Sequence, residues 1–216
     1  MWVFCLSALL GGCAGLAKKN EVLPMADVGV QQEWVQLNRA EWEATKPVNS
    51  RASRKFFQAT TAIGIEDYIN AETLLLELIS SFPEYASPRT NLALIYVNTG
   101  RVDEALPLLH DAIAMVPRDC IPQIQLALVE RSRNEFAAAE TAYLVCLKAE
   151  PGNAIAHLNL GILYELYMGR FEDALAAYDE YQQLVGTPDQ RVAGWIANLS
   201  RRIKTTSQLA IGEHFK

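Results

Sequence analysis

Apolar positions along most of this chain recur at steps of three and four, the rhythm of helices that bury one face. Leu92, Ala93 and Tyr96 share one helical face, and Ala105, Leu109, Ala112 and Ile113 share another. Between the two helices, Gly100 accepts the left-handed backbone that a helix end requires. Asp103 and Glu104 then place negative charge at the start of the next helix, where its dipole favours it. Pro107 falls in or near that helix's first turn, where a missing N–H is tolerated. Pro117 ends the unit. Residues 86–119 therefore read as helix, tight turn, helix, proline.

The unit repeats. Pro83, Pro117 and Pro151 stand 34 residues apart, and so do Ala71, Ala105 and Ala139. Ala174 follows after 35, so the fourth unit holds one inserted residue. No unit can bury its apolar face alone, so neighbours stack and the ends need caps. Thr187-Pro188-Asp189-Gln190 reads as a helix start, with Thr187 as N-cap, Pro188 at N1 and Gln190 at N3. Val192, Trp195, Ile196, Leu199 and Ile203 are the apolar stripe of that C-terminal capping helix, placed within 187–205. Residues 206–216 read as a flexible polar tail. Upstream of the repeats, residues 30–49 read as an N-terminal helix carrying Trp34, Leu37 and Trp42 and ended by Pro47.

Leu92-Ala93-x2-Tyr96 and Leu160-Gly161-x2-Tyr164 are similar to the first half of the tetratricopeptide-repeat motif. Ala71-x3-Leu75, Ala105-x3-Leu109, Ala139-x3-Tyr143 and Ala174-x3-Tyr178 are similar to its second half. Departures are present. Lys55, Arg89, Gln123 and His157 replace the motif's tryptophan, Glu130 replaces a tyrosine, and Gly186 replaces the last proline. Gln58 and Ala62 make the first unit degenerate. The resemblance implies an all-α fold: a right-handed helical solenoid of about four helix-turn-helix repeats over 50–186, with capping helices. It also implies a groove lined by the first helix of each unit. The lining positions are Phe56, Thr60 and Ile63; Thr90, Leu94 and Val97; Ile121, Ile124, Leu128 and Arg131; and Ile155, Leu158, Ile162 and Leu166. The expected occupant is a protein or peptide partner, as an amphipathic helix or apolar segment, with Leu128 and Ile162 near the centre. Two alternatives stay open: the 30–49 helix folds back into the groove, or tight curvature buries these residues between units. The lysines with which some family members hold a chain-terminal carboxylate are missing, and Asn91 and Asn159 are assigned a structural role.

The first residues differ from the rest. Trp2 to Leu10 is an apolar run, far shorter than the roughly 20 residues of a membrane-spanning helix. It ends in small residues, as a secretory signal does. Leu10-Gly11-Gly12-Cys13 resembles the lipobox of bacterial lipoproteins, although no Lys or Arg precedes the run. That resemblance implies a signal peptide over 1–12, lipidation at Cys13 and a tether over 13–29. Ala14 after the cysteine resembles the sorting pattern for the outer membrane, periplasmic side. A plain secreted or periplasmic protein is the alternative.

Composition excludes more than it selects. The 216 residues are 50% hydrophobic and 20% charged, with net charge −6, so an ordinary globular core is affordable. No basic stripe points to nucleic acid. Cys120 and Cys146 are too isolated for a zinc site. They read either as buried small apolar side chains or, in an oxidising compartment, as a pair. His110, His157 and His214 lie in separate elements without partner ligands, and no nucleophile, phosphate-loop or metalloprotease motif occurs. The expectation is a non-catalytic scaffold without metal or cofactor. Resemblance to lipoprotein classes points to type IV pilus secretin assembly, with adaptors of peptidoglycan hydrolases or TonB-type complexes as alternatives. A self-associating solenoid, dimeric through the groove or the Trp195 face, is the competing structural reading.

Overall fold

The computed structural model describes residues 49–213, with side chains through residue 205. Cys13, the segments 1–12 and 13–29, and the expected 30–49 helix up to residue 48 lie outside the described residues. Every regular element among them is helical. Four pairs run α1 (Ser50–Gly64) with α2 (Tyr68–Ser81), α3 (Ser87–Asn98) with α4 (Val102–Met115), α5 (Cys120–Ser132) with α6 (Phe136–Ala149), and α7 (Ala154–Ile162) with α8 (Phe171–Leu184). A last helix, α9, spans Gln190–Glu213.

Local chemistry sets the helix ends. Side chains of Asn49, Asp67, Asp119 and Asn153 accept backbone N–H groups of their helices' first turns. Each turn within a pair places one residue in the left-handed region at the same register: Glu66 (φ 61°), Gly100 (78°), Asn134 (65°) and Gly169 (66°). The motif-poor first unit still forms a regular pair, because Ala59 and Ala62 remain small where α1 approaches its neighbours. Pro107 corrects the expectation above. It is the sixth residue of α4, inside the helix, on an exposed face where water can meet the freed carbonyl.

The inserted residue of the fourth unit has a structural form. Leu163–Met168 continues α7 as a π-turn, and Gly169 closes it. The wider turn absorbs one residue, so Ala174 and Tyr178 return to register and are buried, at 0% and 1% exposure.

Adjacent repeats are joined by a recurring polar clasp. The Tyr96 hydroxyl donates to Glu72 at 3.1 Å, and Arg101 donates to both oxygens of Glu72 at 2.9 Å. The same guanidinium holds Glu104 and lies 3.8 Å from the Tyr96 ring centre. Two repeats later, Tyr164 and Arg170 meet Glu140 at 2.8 and 2.7 Å, and Arg170 also holds Asp173. At the intervening junction Leu106 and Glu130 stand at the matching places, so no clasp forms. Arg133 bridges Glu130 and Asp103 instead, beside an open cleft of about 530 Å³. The apolar core divides at this junction too. One cluster is built from α1 to α4 with Val129, and the other from α5 to α9. Each large side chain fully buried there contributes roughly 1.5–3 kcal/mol.

Cys120 and Cys146 form a disulfide that ties the start of α5 to the end of α6. The open choice between paired and unpaired cysteines is thereby resolved as a pair. The capping helix also differs from expectation. Its N-cap is Asp189, not Thr187, because the Asp189 carboxylate accepts the N–H groups of Arg191 and Val192. Gln182 pins Asp189 from α8 through two further bonds. The helix runs on to Glu213, through most of the expected tail. Val192 and Leu199 are fully buried against the last pair.

Candidate functional site: the face of the first helices

Among the described residues the first helices of the first three repeats touch, α1 with α3 and α3 with α5, more extensively than α2 touches α4 or α4 touches α6. The stack therefore curves with the first helices on its inner side. The predicted groove positions lie on these helices, except Leu166, which is on the π-turn that continues α7.

Several of these positions are covered by the core. Phe56, Ile63, Ile124 and Leu128 are buried, as are Thr60 and Thr90. Phe56 and Ile63 belong to the α1–α4 core cluster and Ile124 and Leu128 to the α5–α9 cluster, so the apolar concavity is narrower than the spacing suggested. Leu94, Val97, Ile121, Ile155, Leu158 and Ile162 are half-buried, as is Arg131. Leu166 is 57% exposed, carried outward on the π-turn. The accessible part of the site is thus Leu94 and Val97 at one end and Leu158, Ile162 and Leu166 at the other, with Arg131 between.

Polar groups under this face divide into satisfied and unsatisfied. Asn91 donates to the Ser87 carbonyl at 2.8 Å and Asn159 to the Ile155 carbonyl at 2.9 Å, which ties each amide to its own helix. The ring of His157 sits 3.0 Å from the Pro151 carbonyl, a local end contact. Gln125 takes the equivalent place in the third repeat and is one methylene longer. Its amide is 5% exposed, and neither end has a hydrogen-bond partner. The Tyr143 hydroxyl, also fully buried, is likewise unmet. Burial raises that phenol above the ordinary tyrosine range, and the nearby Arg131 charge opposes the rise. Arg131 lies 5.3 Å from the Tyr167 ring centre, and Phe136 packs against the same ring at 5.4 Å. Gln125, Tyr143 and Tyr167 were not among the expected site residues. The 34-residue register shows Gln125 in line with Asn91 and Asn159, but their different bonding is visible only in three dimensions.

Among the described residues no group of three or more His, Cys, Asp or Glu could hold a metal ion, and no helix is long and apolar enough to cross a membrane. The arrangement suits contact chemistry: apolar docking along a curved face with one cation in it.

Comparison with known proteins agrees with this architecture. Residues 124–190 and residues 88–116 match two models described as tetratricopeptide repeat. No curated protein matches the sequence. Among solved structures, a thermophilic TPR protein of Thermus thermophilus is 22% identical with a TM-score of 0.61, over 76% of this chain and 88% of that one. YrrB, titled a TPR protein with an unusual peptide-binding site, is 19% identical with a TM-score of 0.56, over 79% and 85%. The first TPR of Spaghetti, bound to an HSP90 peptide, is 16% identical with a TM-score of 0.51, over 55% and 93%. These likenesses speak for the fold. Tetratricopeptide-repeat proteins are protein-interaction adaptors or scaffolds. The paired helices, their common register and the matched repeats show that this chain belongs to the tetratricopeptide-repeat family.

Proposed function

We propose that this chain is a non-catalytic adaptor whose first-helix face receives an amphipathic helix or apolar segment of a partner protein. The observation that carries this reading is the run of accessible apolar side chains, from Leu94 and Val97 to Leu158, Ile162 and Leu166, on one curved face. A monomer gains nothing by leaving such a run partly wet. Peptide ligands named for YrrB and for the Spaghetti repeat support a segment, rather than a small molecule, as the occupant.

We further propose that the chain is lipidated at Cys13 and held at the periplasmic face of the outer membrane, where it assists a cell-envelope machine. The lipobox-like Leu10-Gly11-Gly12-Cys13 supports the anchor. The Cys120–Cys146 disulfide supports an oxidising compartment. Type IV pilus secretin assembly is the preferred machine, because lipoproteins of that class resemble this one in size and in tandem repeats behind a lipid anchor.

Purification of the tagged full chain from its native host tests both parts. The unaltered chain should carry a defined envelope protein, and Leu166→Asp should lose it while keeping its helical circular dichroism. Retention of the partner by Leu166→Asp would refute the groove. Cys13→Ser should move the chain from membrane to soluble fraction; continued membrane attachment would refute the lipid anchor.

A further inference from the structure

Arg131 is out of keeping with the other arginines that are drawn partly out of water. Arg101, Arg133 and Arg170 each hold two carboxylates. Arg89 is half-buried but donates to two backbone carbonyls. Arg131 is also half-buried, yet among the described residues it reaches no carboxylate or carbonyl, and its contact is the Tyr167 ring. A guanidinium drawn partly out of water, with its donors unspent, is suited to a planar two-oxygen acceptor.

Its position makes this useful. Gln125, Leu128 and Arg131 follow one another at three-residue steps and so form one oblique row on α5. Leu128, near the middle of the proposed groove, is flanked by two polar groups with unmet bonding capacity, since the Gln125 amide also lacks a partner. Buried polar groups in native proteins are nearly always satisfied, so the unmet Gln125 amide calls for an explanation, and the half-buried Arg131 stands on the same row.

We infer that the accessible Arg131 end of this row is a subsite for an acidic side chain, with Arg131 taking the carboxylate of an Asp or Glu in the bound segment while the segment's apolar neighbours rest on Leu158 and Ile162. The inference rests on the groove reading above and adds the chemistry of its centre. In a chain of net charge −6 a carboxylate is repelled in general and welcomed only where a cation stands unneutralised. The subsite therefore fixes the register of the partner as well as its class.

The test is selection of a phage library of linear random dodecapeptides, each joined to the phage through its C-terminus so that every free carboxylate is a side chain. The baits are the full chain, Arg131→Gln and Leu166→Asp, each checked for native circular dichroism. The full chain should enrich peptides that carry Asp or Glu beside apolar residues. Arg131→Gln should keep the apolar preference and lose the acidic one. A synthetic peptide from the first selection should bind Arg131→Gln roughly ten-fold or more weakly. An acidic preference that is missing from the full chain, or that persists on Arg131→Gln, would overturn the subsite and leave the groove standing. Failure of the full chain to enrich anything beyond Leu166→Asp would refute the groove itself, and the subsite with it.

Discussion

Gly161 offers a sharp test of the packing, because two opposed effects meet at one atom. It lies inside α7, where replacing glycine by alanine normally stabilises a helix by about 1 kcal/mol. A Cβ at this position, however, would lie 2.5 and 2.6 Å from ring carbons of Tyr178. That ring cannot step aside easily. It is 1% exposed, its hydroxyl donates to Glu165 at 3.0 Å, and Trp195 of the capping helix packs on it at 5.7 Å. Overpacking of this kind costs about 1–3 kcal/mol. An approach this close belongs to the upper part of that range, about 2–3 kcal/mol, so Gly161→Ala should destabilise by about 1–2 kcal/mol net, lowering Tm by about 3–6 °C. Urea denaturation followed by circular dichroism measures it. In a Tyr178→Leu background the obstruction is gone, and the same substitution should become neutral or stabilising. The coupling between the two sites should be about 2 kcal/mol. A stabilising Gly161→Ala in the unaltered chain, or an equal effect in both backgrounds, would refute the reasoning.

Three further outcomes follow from the same coordinates. Gly100 has open space around a Cβ, so Gly100→Ala should cost about 1 kcal/mol through its positive φ alone, whereas Glu66→Gly at the matching turn should gain several tenths; opposite shifts in urea midpoint check the pair. Replacing Cys120 and Cys146 together by Ala opens a loop of 26 residues and should cost about 3.5 kcal/mol by chain entropy; an unchanged denaturation midpoint would count against the bond. Burial raises the phenols of Tyr143, Tyr164 and Tyr178. A raised folded value means that stability is intact below the ordinary tyrosine pKa of about 10 and falls as pH rises beyond it. Absorbance titration at alkaline pH should show these three ionising together with unfolding, after the exposed phenols.

Much of the fold was legible because a repeat states its rules several times. Ala71, Ala105, Ala139 and Ala174 marked the pairing, and the extra residue before Ala174 was visible as a broken period. That it becomes a π-turn was not visible, because an insertion can be absorbed at either end of a helix or in the turn. The clasp left a trace that the motif reading passed over: Glu72, Tyr96 and Arg101 are matched by Glu140, Tyr164 and Arg170 at nearly the same separations. The disulfide needed the register, since a separation of 26 residues says nothing of distance until helix start and helix end are known to meet. The expected groove positions were assigned to the first helices by spacing, but their burial could not be read that way. Spacing assigns a residue to a face, and only the packed core shows that Phe56, Ile124 and Leu128 are covered. Arg131 stood among the expected groove residues without a reason. Its want of a carboxylate partner is a three-dimensional fact.

The claim that partners bind on the first-helix face is tested most directly by site-specific photo-crosslinking of the full chain in its native host. The photoreactive residue would replace Leu94, Leu166 or, on the second helix of the third repeat, the 47% exposed Leu144. Adducts to the same partner protein from Leu94 and Leu166, and none from Leu144, are the predicted result. Adducts from Leu144 alone, or equally from all three positions, would contradict the account.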